Sequence, residues 1–391
     1  MGIFSKSKDK GELALLFDIE SSSVGGVLFY INKSKVPEIV FSFREQIVTE
    51  TEFNFDRFFT GTMKALGDVA GKICLAGLGS PKHFFCVLSS PWYASQTRVI
   101  RVEKNTPFTF TNKLADSLTK KEISFFQEEH LYKYDQDGSK ALPIEFKNMK
   151  TVLNGYTATN PINQRATELE MTVFISISSE HFLQRVQEIV SQHFFRKDIK
   201  FLSLAMVSFA VARDLFVKQE NFLLIDIGGE ITDISMVKKD VLSNSISFPK
   251  GLNFITRGIA SILNCSLDEA KSLISLYKDE HAETLTEKRL EPMISKLKNE
   301  WLNEFQNSLA NLSNDISIPA NIFITIDSNF APFFSDIIKT EQFSQYTLTE
   351  SKFKVVFLDT EKLYDAALLG SEVKLDPLVI LGAIYINRFI R

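Results

Sequence analysis

Two stretches of the chain are apolar almost without interruption, and both end at an aspartate. Leu13 to Ile19 reads LALLFDI, and Phe222 to Ile227 reads FLLIDI. Runs this short and this continuous suit central strands buried on both faces. Each passes through a turn of small residues into an apolar return strand, Val27 to Ile31 after the first and Ile234 to Val237 after the second. The first continues into a third strand from Glu38 to Val48. Apolar residues then recur at helical spacing from Phe53 to Ile73 (Phe55, Phe58, Phe59, Met63, Leu66, Val69), predicting a long amphipathic helix. Phe84 to Ser89 reads as another buried strand. Thr97 to Val102 alternates apolar and polar, as a half-exposed strand does.

The pattern changes between about residues 103 and 180. A helix from Asn112 to His130, a turn around Asp135, Asp137 and Gly138, and strands Thr151 to Thr157 and Leu169 to Ile177 make a strand-helix-strand-strand unit. It interrupts two stretches that look like halves of one larger α/β fold. The expected division is therefore a discontinuous core, 1–102 and 181–391, around an insert at 103–180. Beyond the insert the sequence predicts a helix His181 to His193 and a strand and helix between Ile199 and Asp214. A helix Ser266 to Lys278 opens on a capping box of Ser266 and Glu269. A long helix Glu287 to Leu312, a strand Ile322 to Ile326, a helix from Ala331 and a last helix from Pro377 complete the second part. Residues 243–320 are expected to form a helical subdomain.

Composition narrows the function classes. The 44 basic and 48 acidic residues nearly cancel, which gives no whole-protein footprint for nucleic acid. Cys74, Cys86 and Cys265 are scattered, so they read as buried thiols of a reducing compartment rather than metal ligands or a disulfide framework. His83, His130, His181, His193 and His281 share no ligand spacing. Trp92 and Tyr93, after Pro91, read as a packed core edge. No stretch of 18 apolar residues marks a membrane span. The N-terminus, with Ile3, Phe4, Lys6, Lys8 and Lys10, reads either as a frayed tail or as a weak electrostatic contact with an anionic bilayer.

The chemistry concentrates where the two apolar runs end. A Ser- or Gly-rich turn at a strand end presents backbone N–H groups and hydroxyls to an anion, and an Asp before it can hold the counter-cation through water. Each turn alone reads equally as a tight hairpin with a hydrogen-bonding Asp. Two of them, on a chain of this length with helices following each, suggest a polyphosphate gripped from both sides.

These segments resemble known loops. DIESSSVGG at Asp18 resembles the first phosphate loop of actin-like proteins, and DIGGEITDI at Asp226 the second. PKGLNFITRGIA followed by SLDEAKSLI is similar to the stretch after the second loop in the bacterial FtsA/PilM group. VLNGYTATNP and TELEMTVFISI resemble that group's inserted domain. The resemblance runs from about residue 13 to 391. It implies a two-lobed actin-like ATPase fold carrying the strand-helix-strand-strand insert. It also implies a cleft for ATP and Mg2+ in which Asp18, Ser21, Ser22 and Ser23 form the first loop, and Asp226, Gly228 and Gly229 the second, with Thr232 on its return strand. Asp18 and Asp226 are implied to hold Mg2+ through water, with Gly251 and Glu269 near the nucleotide.

Several positions depart from that pattern. Glu20 replaces a Gly, Glu230 and Ile231 replace a Gly and a Thr, and Ile326 and Asp327 stand where a Gly pair lets backbone approach adenosine. Leu202 and Ser203 stand where an acidic residue usually precedes the helix after the insert. Hydrolysis is expected to be weak or absent. The function implied is a cytoplasmic scaffold of a membrane-associated machine, attached through protein partners and able to self-associate, with cell division first and type IV pilus assembly second. A small-molecule kinase is the reading from another class.

Overall fold

A computed structural model describes residues 11–134, 140–196, 198–278, 284–313, 318–326, 331–340, 353–370, 373–374 and 376–390. Ile3, Phe4 and the N-terminal lysines, the turn at Asp135, Asp137 and Gly138, His281 and Asp327 lie outside these residues.

The two apolar runs become β1 (Glu12–Ile19) and, later, the equivalent strand of a second sheet. After β1 come β2 (Ser23–Ile31), β3 (Glu38–Gln46), α1 (Phe55–Leu75) and β4 (His83–Leu88). A third sheet's elements follow: β5 (Ala94–Thr109), α2 (Asn112–Tyr134), β6 (Ala141–Leu153), β7 (Tyr156–Thr157) and β8 (Arg165–Ser179). The chain then returns through α3 (Glu180–Phe194), β9 (Lys200–Ser203) and α4 (Leu204–Leu215). The second run is β10 (Phe222–Ile227), followed by β11 (Thr232–Lys238), β12 (Val241–Phe248), α5 (Leu252–Leu263), α6 (Leu267–Lys278) and α7 (Thr284–Ser313). β13 (Asn321–Ile326), α8 (Ala331–Thr340), β14 (Lys354–Phe357), α9 (Thr360–Leu363), β15 (Leu368–Leu369) and α10 (Pro377–Tyr385) close the fold, with a π turn at Ile386–Ile390.

The first and second sheets share one plan. In the order β15-β3-β2-β1-β4-β9, β1 is antiparallel to β2 and parallel to β4; in β12-β11-β10-β13-β14, β10 is antiparallel to β11 and parallel to β13. Asp18 and Asp226 occupy corresponding places, each one residue from the end of the central strand. Alternation explains why both strands are apolar throughout. Ala14 and Leu16 of β1, with Phe222 and Leu224 of β10, face a core shared with α4 and α10 between the sheets. Leu15 and Phe17 face α1 and α3 instead, while Leu223 and Ile225 face α5 and α7. Trp92 is buried between Phe58 and Phe182, with ring centroids 4.9 and 4.5 Å away, so this is a core edge as its sequence suggested.

The third sheet, order β5-β8-β6-β7, spans 94–179 and packs α2 on one face. Two features differ from the sequence reading. β6 begins at Ala141, and the strand expected at Thr151 to Thr157 is folded back on itself. Asn154 (φ 49°) and Gly155 (φ 81°) form the turn between β6 and β7, the positive-φ pair that an Asn-Gly hairpin favours. The Asn154 Oδ1 accepts from the Thr167 N–H at 2.9 Å and the Glu168 N–H at 3.1 Å, pinning the hairpin to β8. Asn154→Ala should therefore lose these bonds as well as its αL tolerance, lowering stability by about 1–2 kcal/mol in urea unfolding. A strand, β12, also occupies Val241–Phe248, so the helices of that region start at Leu252.

Candidate functional site

Asp18 and Asp226 lie at the facing ends of the two sheets, and their loops touch. The Ser21 Oγ accepts from the Glu230 N–H at 3.1 Å. A Cβ built on Gly229 would lie 2.8 Å from Ser22 Cβ and 3.0 Å from the Ser21 carbonyl; one on Gly228 would lie 2.9 Å from Ser21 Oγ. These glycines let two backbones meet. On the far side, a Cβ on Gly251 would lie 2.2 Å from the Gly228 oxygen. The first amides of α5, from Leu252 and Asn253, donate to the carbonyls of Gly228 and Gly229 at 2.9 and 2.8 Å. The second loop thus caps the helix, whose leading N–H groups would otherwise face an anion.

The carboxylate of Asp18 is taken by a residue the sequence reading did not single out. Arg44, on β3, donates from Nη2 to Asp18 Oδ2 at 2.6 Å, from Nη1 to Ser23 Oγ at 2.9 Å, and from Nε to Asp376 Oδ2 at 2.7 Å. Glu20 Oε1 lies 3.6 Å from its Nη1. Room for the guanidinium comes from Gly25, where a Cβ would fall 2.5 Å from Nη2. Asp376 also caps α10, its Oδ1 accepting from the Leu378 N–H at 3.2 Å. One guanidinium thereby joins the first loop, β3 and the start of α10.

Burial sets the charge states here. Burial pulls the Arg44 guanidinium down, but Asp376, Glu20 and Asp18 outweigh it and leave the group well above its ordinary value. Burial raises Asp18 despite Arg44 beside it, and raises Glu20 well above the carboxylate range. Asp226 is pushed up to about 8 by burial and by Asp233, its cross-strand partner, against the opposing hydrogen bond from Thr325 Oγ1 at 2.6 Å.

A cavity of about 270 Å³ opens beside this network, lined by Glu20, Ser22, Ser23, Arg44, Asp226 and Asp376 among others. That is just under the roughly 300–1,000 Å³ of small-molecule sites. The residues do not fit Mg2+ and ATP as arranged. Asp18 is bonded to a guanidinium, Asp226 favours its neutral form, and the phosphate loops lie in contact. Among the described residues, Asp18 Oδ1 and Glu20 Oε1 lack a hydrogen-bond partner, which adds unbalanced acceptors rather than anion donors.

The other expected site residues disperse. Ser22, Ser23 and Asp226 line the cavity. Thr232 is fully buried and occupied, donating to the Lys250 carbonyl at 2.7 Å and accepting from Trp301 Nε1 at 3.2 Å. Glu269 lies outside the lining; its carboxylate accepts from Ser266 N–H and Oγ at 2.8 and 2.9 Å, completing the capping box. Ile326 lines the cavity where a Gly was sought. Among the described residues, no group of three or more His, Cys, Asp and Glu is placed to hold a metal, and all three cysteines are free.

No protein-family profile matches the chain, and no curated protein matches it in sequence. Among solved structures it is similar to PilM of a PilM–PilN type IV pilus biogenesis complex, with 13% identity and a TM-score of 0.57, covering 96% of this chain and 98% of that one. A weaker likeness is to the ethanolamine utilization protein EutJ from Carboxydothermus hydrogenoformans, with 10% identity, TM-score 0.42, and 96% and 89% coverage. Another is to a Bacteroides thetaiotaomicron protein with an actin-like ATPase fold and unknown function, with 9% identity, TM-score 0.37, and 91% and 93% coverage. The chain has the two-lobed actin-like α/β fold.

Proposed function

We propose that this actin-like chain is a scaffold that organises a membrane-associated machine through protein partners, of the type IV pilus assembly kind. The observation that carries the reading is the end-to-end likeness to PilM, whose solved structure is a complex with PilN. It favours pilus assembly over cell division, which the NGYTATNP stretch puts first. The cleft adds support for scaffolding over catalysis. A kinase needs a substrate pocket and an acid or base poised between the lobes, whereas here Asp18 is engaged by Arg44 and Asp226 by Thr325.

Attachment to the membrane is assigned to a partner. No helix of the described residues is long and apolar enough to cross a bilayer. The four-stranded sheet and its helix are taken as the assembly surface, with Tyr156 and Ile162 exposed near its hairpin ends.

Deleting the gene in its host tests the reading. The expected result is loss of surface pili and of twitching motility with normal septation. Filamentous cells with pili intact would instead place the scaffold in division. Normal pili and normal septation, together with ATP-dependent phosphorylation of a small metabolite by the purified chain, would establish the kinase reading.

A further inference from the structure

One residue that separates this cleft from a nucleotide site, Glu230, is bound by neighbours that reach across the cleft to the first lobe. Glu230, which stands in place of a loop glycine, has a carboxylate held on three sides: by Arg257 Nη1 at 2.6 Å, by Arg257 Nη2 at 2.8 Å, and by Asn253 Nδ2 at 2.8 Å. A fork-to-fork pair of this kind fixes direction as well as charge. Arg257 reaches on from there to the first lobe, where its Nε donates to the Glu50 carbonyl at 2.7 Å. Asn253 also meets the first lobe, accepting from Thr49 Oγ1 at 3.2 Å. With Ser21 bonded to the Glu230 N–H, the segment 49–50 and the first loop are tied to the second loop and α5 at three points. The Arg257 and Glu230 side chains are only 20% and 13% exposed, so the pair is largely sheltered from solvent.

Both added glutamates therefore have a counterpart. The second loop gains an anion, Glu230, and the chain supplies the donors that hold it. The first loop gains Glu20 beside Asp18, and the chain supplies a cation, Arg44, between them and Asp376. We infer that the cleft is self-occupied: Arg44 acts as the built-in cation of the first lobe and Glu230 as the built-in anion of the second, and the Glu230, Arg257 and Asn253 group, bonded to Ser21, Thr49 and Glu50, holds the lobes closed without nucleotide. This goes beyond the scaffold reading and does not depend on which machine the chain serves. It supplies a rigid closed body where a nucleotide-gated protein would have two states.

The test is amide hydrogen exchange on the full chain, with and without millimolar Mg2+ and ATP, beside thermal unfolding. In the unmodified chain, the nucleotide should leave exchange at 49–54 and 228–233 unchanged and shift Tm by less than about 1 °C. Arg257→Ala and Glu230→Gln should each speed exchange in both segments by about tenfold or more while sparing β1 and β10. Combined, they should do little more than either alone, because they remove the same clamp. If Arg257→Ala fails to fold, Arg257→Lys carries the test, since lysine keeps the charge but cannot bridge Glu230 and the Glu50 carbonyl together. A Tm rise of several degrees with Mg2+ and ATP overturns the inference, and so does unchanged exchange at both segments in the variants.

Discussion

Arg44→Ala is expected to lower stability by about 3–5 kcal/mol, the range seen when one partner of a buried ion pair is removed. The reason is what remains behind. Asp18 is 1% exposed, and Asp376 and Glu20 sit beside it, so three carboxyls would share a site that has lost its guanidinium. Asp376 would keep its capping bond to α10 but lose the link from that helix to β3. Arg44→Lys should recover only part of the loss, because an ammonium cannot span Asp18, Ser23 and Asp376 as a planar fork does. Urea unfolding provides the measurement, with the midpoint shifting and the slope kept. A loss below about 1 kcal/mol in Arg44→Ala would mean that water reaches these carboxyls, and the built-in cation would have to be abandoned.

The sequence made the fold legible where burial is two-sided. β1 and β10 stand out because helices cover both faces of their sheets, leaving no polar alternation to blur the run. β12 escapes notice for the converse reason. As an edge strand it carries Ser243, Asn244 and Ser245 on exposed or half-exposed positions, and this polar middle breaks up its apolar residues, Val241, Leu242, Ile246 and Phe248. β15 is two residues paired with β3, a contact made by tertiary packing alone. The Asn154-Gly155 turn is a readable signal that an uninterrupted strand assignment overrides.

The site divides along the same line. The two aspartates announce themselves by ending apolar runs, and Glu20 and Glu230 by breaking a glycine pattern. Arg44 gives no such sign. Strand alternation puts it on one face with Ser42, which reads as an ordinary solvent-facing pair. Its main partner, Asp376, lies 332 positions away. That residue is visible only as the N-cap before Pro377, a helix-start signal that says nothing about charge pairing. A charge in a nearly neutral chain becomes informative only once the fold shows which carboxylates it meets.

Asp226→Asn should separate a metal-holding aspartate from a buried neutral one. With its pKa at about 8 in the fold and near 3.8 unfolded, Asp226 keeps a proton in the native state that the unfolded chain has released. Between those values the unfolded state binds fewer protons, so stability falls as pH rises, and the loss is complete above about pH 8. The distance between the two values sets an upper limit of about 6 kcal/mol for this residue. Asp18, Glu20, Asp233 and Glu145 are raised by burial as well, and they push in the same direction. Urea midpoints should therefore decline steadily from about pH 5 to about pH 9 in the unmodified chain. Asparagine removes the part due to Asp226. It can still accept from Thr325 Oγ1, and its amide can donate toward Asp233, its partner on the neighbouring strand β11. The variant should accordingly be flatter with pH and more stable than the parent at about pH 9, by about 2 kcal/mol or more. An Asp226 that must be ionised to position a cation predicts the reverse: lower stability for the asparagine variant when Mg2+ is present, at every pH. Parallel pH curves, or a variant weaker than the parent at the alkaline end, would show that Asp226 is ionised in the native cleft.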